Sequence, residues 1–153
     1  MNKSINSYSL HDCYMLFPFK ISDNKIMITC DLAKHLQSEE KQEQYKKSEN
    51  DRHHIIEIEF TNCANLKSIE ESFKSKQDLF RRNAKVLKEE VTFNNFDTDL
   101  DFVSVSISTE KNNFYAYFSN NDLKRGHISF DFDSVSVVNE SFINEITFQE
   151  LIN

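Results

Sequence analysis

Residues 113–138, NFYAYFSNNDLKRGHISFDFDSVSVV, decide the fold class. In the first arm Phe114, Ala116 and Phe118 alternate with Tyr115 and Tyr117. In the second, Ile128, Phe130 and Phe132 alternate with Ser129, Asp131 and Asp133. Successive side chains on a strand point to opposite faces, so this period of two describes antiparallel strands with one face on a core and one in water. The connection Ser119–His127 carries Asn120, Asn121 and the only glycine, Gly126, which are turn-forming residues. After Asp133 the apolar parity slips to Val135 and Val137, which predicts a β-bulge near Asp133–Ser134.

Working outward, the same alternation recurs. Cys13, Met15, Phe17 and Phe19 alternate with Tyr14, Leu16 and Pro18, and the proline places this strand at an edge or a bulge because it has no amide to donate. Ser22-Asp23-Asn24 turns the chain into Lys25–Asp31, where Ile26 and Ile28 oppose Met27 and Thr29. His53–Phe60 places Ile56, Ile58 and Phe60 on one face. Short strands are expected at 91–96 and 102–108, the second with Val103, Val105 and Ile107 inward. Residues 142–151 read as a last edge strand or a short terminal helix.

Two segments break the pattern. Residues 33–52 are nearly devoid of apolar anchors and read either as an exposed helix supported by opposite-charge pairs such as Glu43–Lys47 or as a mobile loop. The mobile insertion, or a short helix at its start holding Leu32 and Leu36, is the favoured reading. Ser68-Ile-Glu-Glu71 has the form of a capping box, and Ile69, Phe73, Phe80, Ala84 and Leu87 fall on one helical stripe. With Arg81, Arg82, Lys85 and Lys88 suiting the C-terminal end of a helix dipole, the spacing predicts one capped helix over 69–88. The fold class is therefore α+β, mainly antiparallel β: a sandwich or open barrel in a single domain, 1–153, with that helix packed on or beside the sheet.

Composition narrows the function. Fourteen phenylalanines and no tryptophan point to a core built on phenylalanine. The many asparagines and lysines read as compositional bias. The net charge is −7, and residues 90–153 hold 11 acidic side chains against 3 basic ones. An acidic face of this kind disfavours nucleic acid and suits a basic partner, or else serves only solubility. Cys13, Cys30 and Cys63 are odd in number and widely spaced, as free thiols in a reducing cytoplasm would be. No apolar run approaches the roughly 18 residues of a membrane span, and no basic-then-apolar leader opens the chain.

A single glycine forbids a nucleophile elbow, a P-loop or a dinucleotide fingerprint, so no cofactor is expected. Asp97-Thr-Asp99-Leu-Asp101 opens like a calcium loop, but Phe102 and Ser108 stand where that loop needs glycine and glutamate. His53 and His54 are adjacent on a strand and point to opposite faces, so they do not chelate together. No metal and no catalytic residue is expected. The candidate partner-binding residues are Asp97, Asp99, Asp101, Tyr115, Tyr117, Asp131 and Asp133, carboxylates flanked by aromatic anchors.

Ser9-Leu10-His11-Asp12-Cys13, opening the first strand, resembles the Leu/Phe-His-Asp start of small β-rich bacterial immunity proteins of polymorphic-toxin and contact-dependent inhibition systems. The polar turn Ser22–Lys25, the strand and turn Ile56–Asn62, and an aromatic hairpin with glycine before an isoleucine-x-phenylalanine strand are similar to that group's pattern. The three pieces cover about a third of the chain. The resemblance implies inhibition by binding, with a cognate toxin domain held so that its active surface is covered. Leu10, His11 and Asp12 are then structural. The rivals are a scaffolding interaction module and a small metal-dependent hydrolase using Asp97, Asp99, Asp101 and a histidine.

Overall fold

The computed structural model describes residues 3–47, 53–73, 86–90, 101–119 and 124–152. The strand expected at 91–96, with Asp97 and Asp99, lies outside them. The described strands are β1 (Tyr14–Ser22), β2 (Lys25–Asp31), β3 (His53–Thr61), β4 (Ala64–Phe73), β5 (Val86–Glu90), β6 (Asp101–Ser108), β7 (Asn113–Ser119), β8 (Lys124–Asp131) and β9 (Ser134–Ile143), with helices α1 (Glu39–Lys47) and α2 (Glu145–Ile152). All pairings are antiparallel. They form a four-stranded sheet, β1-β2-β3-β9, and a five-stranded sheet, β5-β4-β8-β7-β6. Both sheets keep open edges, so the two layers make a sandwich and not a closed barrel.

The alternation read from sequence is what packs. Ile26, Ile28, Ile56, Ile58 and Phe60 from one sheet meet Phe114, Ala116, Ile128 and Phe130 from the other, all fully buried or nearly so. Phe60 sits at the junction, edge-on to Phe114 (5.4 Å between centroids, 73°) and to Phe130 (4.9 Å, 88°), while Phe114 and Phe130 stack at 4.7 Å. Offset and edge-on ring pairs of this kind add about 1 kcal/mol each beyond the area they bury. β1 is an edge strand whose pairing register shifts between Leu16 and Lys20, the interval that contains Pro18. Ser22 pairs with Lys25, and Asp23 and Asn24 between them both take positive φ (49° and 63°), the two-residue turn that matches strand twist.

The parity slip after Asp133 has a different cause from a bulge. The amide of Phe132 donates to the Asn112 carbonyl in the five-stranded sheet, and that of Asp133 donates to the Thr61 carbonyl in the four-stranded sheet. Within two residues the chain leaves one layer for the other, and β9 continues beside β3, with Thr61 opposite Ser134. The inward set is renumbered because the inward direction itself has reversed. Gly126 is also no turn residue: it lies inside β8, opposite Phe118.

The helix expected over 69–88 is corrected at both ends. Residues 64–73 are β4 and residues 86–90 are β5, with Ile69 opposite Glu90 and Phe73 opposite Val86; the span between them lies outside the described residues. Ser68 is not an N-cap but a buried strand residue opposite Ile128. Without β4, the β8 edge away from β7 would leave its amides and carbonyls unpaired over the core. Ladder bonds along that whole edge outweigh one local capping pair.

Part of the polar insertion is helical, one of the two alternatives its composition leaves open. After a 3-10 turn at Lys34–Leu36, residues 39–47 form α1, with Glu39 and Glu40 in its first turn and Lys46 and Lys47 in its last, as the dipole favours. Its anchors are polar side chains that reach the sandwich end, namely Lys41 and Tyr45.

Candidate functional site

His53 and His54 stand side by side on β3 and serve opposite faces of the four-stranded sheet. His54 points inward, fully buried, at the end of the sandwich beyond Ile56. Its Nδ1 lies 2.5 Å from the Tyr45 hydroxyl of α1, its Nε2 lies 2.7 Å from Oε2 of Glu140 on β9, and its ring stacks on Phe142 at 4.4 Å. Glu140 also accepts from Lys3 (2.7 Å) and Lys41 (3.1 Å). Burial alone would raise the Glu140 carboxyl, but the bonds from Lys3, His54 and Lys41 outweigh it and hold its pKa at about 2. Burial lowers the His54 pKa against the pull of Glu140. A neutral His54 beside an ionised Glu140 must donate through Nε2, so Nδ1 accepts from Tyr45. Burial and then Glu140 push the Tyr45 phenol up to about 12. The buried Tyr8 ring completes the cluster, with the Lys41 ammonium 4.3 Å from its centroid. Because no atom of His54 meets solvent, the arrangement fixes a charge and joins the N-terminal segment, α1, β3 and β9.

His53 faces outward and holds α2. Its Nδ1 lies 2.6 Å from Oδ2 of Asp31 on β2, and its Nε2 lies 2.5 Å from Oε2 of Glu145 in the first turn of α2. Burial opposes the charged imidazole, yet the bonds from Glu145 and Asp31 prevail and raise its pKa above 6.5. As an imidazolium it donates from both nitrogens. Asn144 caps α2 by accepting from the Thr147 amide at 2.9 Å, and Phe148 is the buried anchor of the helix. Among the described residues, no three His, Cys, Asp or Glu side chains converge as a metal site requires.

Asp131 and Asp133 lie two residues apart where β8 leads into β9. Asp131 accepts from Asn65 (2.7 Å) and Asn113 (3.1 Å), and Asp133 accepts from Asn62 (2.9 Å). These bonds, Asn65 first and then Asn113, lower the Asp131 pKa. Tyr115 and Tyr117 share the outer face of the five-stranded sheet with Asp131. Tyr115 is 39% exposed and stacks on His127 at 5.6 Å. Asp101 is far from Asp131. It pairs with Ser119 at one end of β7 while Asp131 pairs with Asn113 at the other, about 20 Å away at ~3.4 Å per residue. Asp97 and Asp99 lie outside the described residues.

Leu10 packs against the core, and the Cys13 amide donates back to its carbonyl across a turn in which Asp12 takes φ 55°. The exposed His11 and Asp12 side chains lie 3.1 Å apart. All three cysteines are free and buried. Among the described residues, no helix is long and apolar enough to cross a membrane.

The His53 and His54 clusters were not foreseen as sites. The signal available was two adjacent histidines at the start of a strand with an apolar inner face, with unassigned carboxylates elsewhere. No protein-family model, curated protein or solved structure matches this chain.

Proposed function

We propose that the chain is a cytoplasmic immunity protein that binds a basic toxin domain and covers its active surface. The observation that supports this most is Asp131: two asparagines aim it and favour its ionised form, beside the exposed ring of Tyr115. A carboxylate fixed before binding loses little entropy on meeting a cation, and an aromatic neighbour supplies the apolar contact. Asp133, exposed and held by Asn62, extends the same anionic end. Residues 90–153, with 11 acids to 3 bases, add long-range attraction that speeds encounter.

The test is co-expression with the C-terminal domain encoded directly upstream, scored as rescue of growth. Calorimetry of the purified pair at low and high salt follows. The informative variant is Asp131→Asn with Asp133→Lys, because asparagine at 131 keeps the shape of the Asn65 and Asn113 contacts while removing charge. Binding that weakens in the variant and with salt supports the reading. Rescue with unchanged affinity moves the interface elsewhere, and absence of rescue ends the proposal.

A further inference from the structure

On the other side of the sandwich from Tyr115 and Asp131, α2 folds back over the outer face of the four-stranded sheet without filling it. An open groove of about 420 Å³ remains between them. Ile55 and Ile143 supply apolar walls from the sheet and Leu151 supplies one from the helix, while Glu57 and Glu150 line the same space. Among the described residues, no lysine, arginine or histidine lines it. Leu151 is 50% exposed, and Ile146, one turn before Glu150, is 74% exposed. Thr29, Asn139 and Ser141 add hydrogen-bonding groups along the strands.

We propose that this groove binds a short peptide segment in which an arginine or lysine adjoins an apolar residue. Two carboxylates line one groove with no cation among its described lining residues, and a basic side chain complements that charge. The apolar walls beside them gain by covering Ile143 and Leu151, which water now wets. One basic and one aliphatic side chain fit a space of this volume together, and the polar strand residues meet the backbone that links them. The site is distinct from the anionic end described above and stands whether or not the chain inhibits a toxin.

The experiment is a methyl-resolved NMR titration of the full chain with N-acetyl-arginyl-leucinamide. Saturable shifts at the Ile55, Ile143 and Leu151 methyls are expected, and Glu57→Gln with Glu150→Gln should weaken binding about tenfold, as two partly exposed ion pairs would. The thermal melt of the double variant, checked against the parent, separates lost binding from lost fold, and Glu150→Gln alone should give an intermediate loss. The proposal is overturned if N-acetyl-glutamyl-leucinamide binds as tightly. It is overturned equally if free guanidinium matches the dipeptide, or if the shifts fall outside the groove or do not saturate.

Discussion

The imidazole of His53 lies flat on the ring of Phe148, with centroids 3.8 Å apart and planes 11° from parallel. One residue thus holds α2 twice, through its ring face and through the Glu145 carboxylate. A charged imidazole over an aromatic face is attracted to it, so both contacts favour the protonated state.

His53→Ala should free α2 and cost about 2 kcal/mol, the scale of charge-assisted hydrogen bonds. The His53 pKa is raised in the folded state, so its contribution is complete below 6.5 and is lost as the pH rises through the elevated value. Amide-exchange protection factors for residues 145–152, corrected for intrinsic rate, should fall over that interval in the parent. In the variant they should be low throughout. Equal protection in both would disprove the latch.

Glu140→Gln should be more damaging, about 3 kcal/mol, because it leaves Lys41, with a side chain only 12% exposed, near a cluster that no longer carries a negative charge. The parent's Glu140 contribution is present above 4.5 and is lost as the pH falls toward about 2. Urea melts across that range should converge for parent and variant at the acid end. Parallel curves would mean that Glu140 is not the group being titrated.

Asn65 takes φ 55° and donates to Asp131. Asn65→Ala loses the bond and sets a Cβ-bearing residue without a local hydrogen bond in the left-handed region, for a cost of about 2 kcal/mol. Asn65→Gly, which relieves the backbone, should cost less. Both should raise the Asp131 pKa, readable by NMR titration of its carboxyl carbon.

Cys30 is held well above the usual thiol range, first by its hydrogen bond with Cys13 and then by burial. Its sulfur and those of Cys13 and Cys63 should resist alkylation in the native protein and react only on unfolding. Intact mass after native and denatured alkylation checks this. A disulfide found there would contradict the free thiols.

Where alternation carried the signal, the sequence was readable. β2, β3, β7 and β8 were legible because Ile26, Ile58, Phe114 and Phe130 obey a period that no helix shares. The helix over 69–88 failed because Ser68 and Glu71 were judged by local chemistry, whereas their state depends on an edge of β8 nearly sixty residues away. The opposite faces of His53 and His54 followed from strand geometry, but not their partners: Glu140 is 86 residues from His54. The abundance of asparagine reads as compositional bias, yet every described residue with positive φ is asparagine or aspartate. In a chain with one glycine, these side chains take the left-handed positions of its turns and, at Asn65, of the irregularity in β4.

The crossing at Phe132–Asp133 also bears on how fast the molecule is made. β3 acquires its last neighbour only when β9 arrives, with His53 pairing to Ile143, so the first three strands wait with an unsatisfied edge while nearly all of the chain is synthesised. Closing such distant pairs costs loop entropy before any contact repays it, and chains dominated by them fold slowly. During that wait the β3 edge is open to pairing with a wrong strand, and the two-residue step between layers brings in the strand that covers it.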